Sequence, residues 1–146
     1  MTLQFELKNH SGDTVTQDDY LEGGLVMFFY PRAMTPGCTV EACDFRDNYS
    51  DLVDSGYNVV GVSPDPPELN AEFREKEGLN FDLLSDEDHT LAEELGAWGE
   101  KKLYGKTITG LIRSTFVFDS GGEMVREYRN VKATGHVERV KADLLG

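Results

Sequence analysis

Long apolar runs, basic residues and cysteines are all scarce in this chain, and each scarcity removes a class of function. No stretch approaches the roughly 20 apolar residues that span a bilayer. The opening Met1-Thr2-Leu3-Gln4-Phe5-Glu6 lacks the basic-then-apolar order of a secretion signal, so a soluble, cytoplasmic protein is expected. Only 14 lysines and arginines stand against 27 aspartates and glutamates, a net charge of -13. An average surface of that sign repels phosphate backbones and anionic membranes, and neither nucleic acid nor membrane is an expected partner. The acidic residues are spread along the chain without an acidic tail, as in a solvated surface suited to high salt or high solubility. Three histidines, His10, His89 and His136, and two cysteines show no zinc-ligand spacing, so no metal and no other cofactor is expected.

What is present fits one domain: 146 residues, 39% of them hydrophobic, suffice for a single core. Gly24 to Tyr30 is a continuous apolar run, ended by Pro31, that reads as a buried strand of a mixed or parallel sheet. Tyr57 to Ser63 and Ser114 to Asp119 read the same way. Between the first two strands, Cys38, Ala42, Phe45, Tyr49, Leu52 and Val53 recur at helical spacing up to Gly56. Further helices are expected over 67–78, 87–96 and 134–145, and Ser120-Gly121-Gly122 followed by the alternating stretch 123–128 signals a β-hairpin. A β-α-β opening, a hairpin and a closing helix point to an α/β sandwich of the thioredoxin type, a central mixed sheet flanked by helices in three layers. No internal repeat, low-complexity tract or interdomain linker interrupts it.

The two cysteines lie five residues apart in the segment that joins the first strand to the long helix, Tyr30-Pro31-Arg32-Ala33-Met34-Thr35-Pro36-Gly37-Cys38-Thr39-Val40-Glu41-Ala42-Cys43. A lone pair of this kind, too few to staple a secreted domain, suggests redox chemistry. Thr35 before Pro36 fits a helix N-cap with proline at the first helical position, which places Cys38 third. There the unpaired amides of the first turn and the positive end of the helix favour a thiolate over a thiol, and the thiolate is the reactive form. The competing reading is a cysteine packed as a small apolar residue. Cys43 is open in the same way, between a second redox thiol and an inert core position. On an ideal helix the two α-carbons stand about 9 Å apart, whereas a disulfide needs them within about 7 Å. Any bond between them therefore requires the first turns to unwind.

Pro31, Thr35 and Cys38 resemble the peroxiredoxin active-site motif: a proline, three residues, a threonine, two residues and the peroxidatic cysteine. The longer string Thr35 to Thr39, Glu41-Ala42-Cys43 and Phe45-Arg46-Asp47 is similar to the bacterioferritin comigratory protein, or peroxiredoxin Q, group. That likeness continues through Gly61 to Asp65, Leu83 to Asp86 and Arg113 to Phe116, almost the whole chain. It implies a single thioredoxin-fold domain of the AhpC/TSA type over 1–146. It also implies a thiol peroxidase acting on hydrogen peroxide and organic hydroperoxides, in which Cys38 attacks and Thr35, Gly37 and Arg113 hold the peroxide, the glycine through backbone amides. Pro31 shields the sulfur, and Cys43 resolves the Cys38 sulfenic acid as an intramolecular disulfide. A thioredoxin-like or glutaredoxin-like reductant restores the dithiol, and the expected state is a monomer or weak homodimer. Read without the likeness, Arg113 is a surface ion pair, Pro31 ends a strand, and Glu41 merely suits the helix dipole. Tyr30 and Trp98 stand either near the site or in the core, and Met34 is an oxidisable side chain in the motif. Two rivals remain: a dithiol oxidoreductase, which the absent C-x-x-C spacing disfavours, and a redox-sensing or holdase module without catalysis.

Overall fold

A seven-stranded mixed sheet runs through the middle of the structure, a computed structural model that describes residues 2–145. Its strands are β1 (Glu6–Asn9), β2 (Thr14–Thr16), β3 (Leu25–Phe29), β4 (Asn58–Ser63), β5 (Asp82–Ser85), β8 (Ser114–Phe118) and β9 (Met124–Tyr128). They stand in the order β2-β1-β5-β4-β3-β8-β9, with β3, β4 and β5 parallel and the outer pairings antiparallel. The three expected strands are the central β3, β4 and β8, and their side chains face both layers. Val26 and Phe28 of β3 point into one core, and Leu25, Met27 and Phe29 into the other. This is why the run has no polar alternation. Gly61 of β4 lets the sheet close here, because a Cβ would come within 2.8 Å of both Leu83 and Phe28.

Helices α1 (Pro36–Asp54), α2 (Pro67–Glu77) and α4 (His136–Leu145) pack Phe45, Leu52, Phe73, Val137 and Val140 against the first core. The short helix α3 (Thr90–Leu95) and the N-terminal residues Leu3, Tyr20 and Leu21 cover the second. The result is the expected three-layer sandwich. Beside it, β6 (Trp98–Leu103) and β7 (Lys106–Leu111) form a separate two-stranded ribbon, turned by Tyr104 and Gly105, both with positive φ. That ribbon and the strands β1, β2 and β5 went beyond the three expected buried strands and the expected hairpin, whose second strand is β9.

Two helix starts differ from the sequence expectation. The third helix begins at Thr90, not Glu87, because the Asp86 carboxylate accepts from the amides of Leu91 and Ala92 and caps the helix from outside. Helix α4 begins at His136 rather than Thr134, after Gly135 with φ +79°. Among the described residues no helix is long and apolar enough to cross a membrane.

Candidate active site

Strand β3 runs out at Phe29, and Tyr30 continues its line by donating its amide to the Val62 carbonyl of β4. The loop 31–35 then turns the chain into α1. A buried polar group under this loop holds it: the Tyr30 hydroxyl donates to Asn70 Oδ1 at 2.5 Å, and Ser63 Oγ reaches the same oxygen at 3.2 Å. Asn70 Nδ2 donates to Ser85 Oγ at 3.1 Å. From the end of β4, Asp65 accepts the Ala33 amide at 2.7 Å. The stretch Gly61 to Asp65 thus shapes the loop before Cys38, a role its sequence did not disclose.

Thr35 is the N-cap residue of α1 by backbone, with Pro36 at the first helical position. Its hydroxyl makes no capping bond, contrary to the expectation, and donates to the Arg32 carbonyl at 2.8 Å instead. Pro31 opens the loop half-buried, and Met34 takes φ +64° and packs against the core that contains Cys38. Cys38 itself, in the first turn, is only 1% exposed.

Arg113 reaches Cys38 from across the fold. It sits in the corner between β7 and β8 and donates from Nη2 to Cys38 Sγ at 3.2 Å and from Nη1 to Glu41 Oε1 at 2.7 Å. The guanidinium lies over Gly37, where a Cβ would be 3.3 Å from Nη2. Glu41, one turn after Cys38, is wholly buried, and its Oε2 has no hydrogen-bond partner among the described residues. Burial pushes its carboxyl up to about 7, against the pull of Arg113. Burial draws the Arg113 guanidinium down, but the facing Glu41 and Cys38 outweigh it and leave it raised. Glu41 is therefore the counter-ion that fixes the guanidinium, and Arg113 is not the surface ion pair of its bland reading.

Cys43 lies elsewhere on α1, half-buried near the end of α2. Burial raises its thiol, Arg46 opposes, and Glu77, Asp47 and Asp44 add to the rise. Arg46 donates to the Glu77 carbonyl at 2.6 Å and so ties α1 to α2 just beyond that cysteine. Both thiols are free. Tyr30 is in the Cys38 core, but Trp98 packs against the opposite core and stacks on His89 with ring centroids 3.8 Å apart. Trp98 takes no part in the site. Lys101, within electrostatic reach of both Arg113 and Cys38, does, and no sequence feature singled it out.

The sequence model of the AhpC/TSA family matches residues 2–127. The chain belongs to that family. Peroxiredoxin Bcp of Bacillus subtilis is 46% identical over 132 residues, 90% of this chain and 84% of its own length. Peroxiredoxin Bcp of Escherichia coli is 44% identical over 133 residues, 91% of this chain and 85% of its own. Among solved structures, the bacterioferritin comigratory protein of Xanthomonas campestris superposes with a TM-score of 0.89 at 35% identity, covering 97% of this chain and 90% of that one. Its structures concern alkyl peroxide reduction activity and trapped intermediate and ligand complexes. Xylella fastidiosa PrxQ gives 0.91 at 31% identity, covering 99% and 93%. These are Bcp and peroxiredoxin Q proteins, the group whose motif the sequence resembles, and they share the thioredoxin-like fold.

Proposed function

We propose that this AhpC/TSA family member is a thiol peroxidase whose attacking group is Cys38, acting within one domain over 1–146, of which residues 1 and 146 lie outside the described structure. The observation that carries this reading is the 3.2 Å bond from Arg113 to the Cys38 sulfur, with Glu41 holding the guanidinium behind it. A fixed cation beside the attacking sulfur meets charge that develops as the O–O bond breaks. The Thr35 hydroxyl donates its hydrogen bond to the Arg32 carbonyl, so its oxygen is left as an acceptor for the peroxide O–H. The amides of Gly37 and Cys38 lie in the first turn of α1, where the helix itself supplies no acceptor, and are free to meet an oxyanion. Pro31 covers the loop side.

The Cys38 thiolate forms a bond to one peroxide oxygen, the O–O bond breaks, and the departing hydroxide or alkoxide takes a proton to leave as water or alcohol. Sulfenic acid remains on Cys38. Cys43 then attacks that sulfur, water departs, and a disulfide joins the two residues. Because an intact helix holds their α-carbons about 9 Å apart, the first turns of α1 unwind for this step. A thioredoxin-like or glutaredoxin-like dithiol returns both residues to thiols by exchange. The protein works as a monomer or weak dimer in the cytoplasm, on hydrogen peroxide and organic hydroperoxides.

Variants test the assignment. Cys38→Ser is expected to abolish reductant-coupled peroxide turnover. Cys43→Ser keeps one rapid oxidation per chain and accumulates sulfenic acid, detectable by a trapping reagent. Undiminished multiple turnover in Cys43→Ser would remove Cys43 from the cycle.

A further inference from the structure

Arg113 is held in place by more than Glu41. Its corner, Leu111-Ile112-Arg113, leaves the β6–β7 ribbon and enters β8, and each of its carbonyls is engaged. Leu111 O accepts the Lys101 ammonium at 2.7 Å, Ile112 O accepts Ser114 Oγ at 2.9 Å, and Arg113 O accepts the Val131 amide at 3.0 Å. The Ile112 amide donates to Ala97 O at 2.7 Å. Lys101 reaches this corner from the middle of β6, on the strand that pairs with β7. Its stem passes over Gly110, where a Cβ would sit 3.4 Å from Lys101 Cε, in van der Waals contact. The ammonium is half-buried, and burial and Arg113 draw it down while Cys38 pushes it up, so all three charges share one field.

We propose that Lys101 is a positioning residue for peroxide reduction: by clamping the Leu111 carbonyl it locks the corner that presents the Arg113 guanidinium to Cys38. The inference rests on the peroxidase reading. It gives the ribbon, an appendage to the central sheet, a place in the chemistry. Misplacing a transition-state donor by a fraction of its bond length is costly, which sets the size of the effect.

The test compares Lys101→Met and Lys101→Arg with the wild type in stopped flow, following oxidation of reduced protein by hydrogen peroxide and, separately, alkylation of Cys38 by iodoacetamide. Lys101→Met is expected to slow peroxide oxidation by roughly 10- to 100-fold. Alkylation, which needs the thiolate but not Arg113's grip on a leaving oxygen, changes less than about twofold. Lys101→Arg recovers most of the peroxide rate. In an Arg113→Met background, Lys101→Met adds no further loss, as expected of a residue that acts through another. Lys101→Leu, which has neither the donor nor the charge, stands in should Lys101→Met not fold, with the same loss of peroxide rate expected. A folded Lys101→Met with a wild-type peroxide rate, or one that loses peroxide and alkylation rates equally, overturns the inference. A wild-type rate no faster than that of free cysteine would overturn the peroxidase reading itself, and this inference with it.

Discussion

The glutamate two side chains away from the sulfur sets the behaviour of the site with pH. Glu41 has an ordinary value of 4.5 and is raised to about 7 by burial, with Arg113 opposing. The folded protein thus holds this proton more tightly than the unfolded chain does. Its contribution to stability is full below pH 4.5 and is lost as pH rises to about 7. Glu41→Gln carries no titrating group, so in urea unfolding the stability of the wild type relative to this variant is expected to decline across that window. Parallel pH profiles of the two proteins would contradict the assignment. The same variant weakens the hold on Arg113, so its oxidation by peroxide slows, by less than the roughly 100-fold expected for removing the guanidinium in Arg113→Met. Of these residues, Cys38 and Thr35 were legible from the sequence by their place before and within a helix start. Arg113 was legible only through the family likeness, because nothing within 75 positions of sequence separation announces a contact made by folding. Glu41 shows that a residue's helical position says little about whether a partner from another strand will bury it.

At the scale of elements, α4 closes the first core over α1, and its leading residue is the most sensitive part of that contact. His136 is buried, bonded to Thr115 Oγ1 at 2.7 Å and set edge-on to Phe45 and Tyr128. Burial lowers it from 6.5 to about 4, and Arg139 and Arg113 push in the same direction. A histidine depressed in the fold contributes stability that is present above pH 6.5 and lost as pH falls toward 4. Amide exchange in α4, expressed relative to the intrinsic rate at each pH, is therefore expected to accelerate over that range in the wild type, and much less in His136→Gln at matched stability. Equal acceleration in both would place the acid-sensitive contact elsewhere than at His136. The central strands and α1 were readable because apolar runs and helical spacing are local signals. The β6–β7 ribbon was not: its lysines, threonines and exposed Ile108 carry little hydrophobic alternation, and a Tyr-Gly turn is a weak cue. The short strands β1 and β2 are held by pairing, β1 with β5 and β2 with β1, which the sequence around them does not encode. The start of α3 moved because a buried aspartate, rather than a residue at the helical border, supplies its cap.

Across the whole molecule the net charge of -13 is the dominant long-range term. Self-repulsion on this scale opposes compaction and is screened as the Debye length falls from about 30 Å at 0.01 M salt to about 3 Å at 1 M. The thermal midpoint is accordingly expected to rise by several degrees between those concentrations of sodium chloride. A flat or falling midpoint would mean that the surface ion pairs, such as Lys141 with Asp51 and Arg129 with Glu127, outweigh the repulsion. Within that acidic molecule, the sulfur sits beside cations, Arg113 and Lys101, drawn from distant parts of the chain. The fold therefore concentrates positive potential where an anionic sulfur and a departing oxyanion both need it.

The most direct measurement of the central claim is the second-order rate constant for hydrogen peroxide oxidising the reduced protein, followed by mass spectrometry of the Cys38 and Cys43 peptides after one equivalent. The account predicts a rate far above that of an ordinary free thiol and a Cys38–Cys43 disulfide as the product. A rate equal to that of free cysteine, or a fast reaction that leaves Cys43 unmodified, would contradict it.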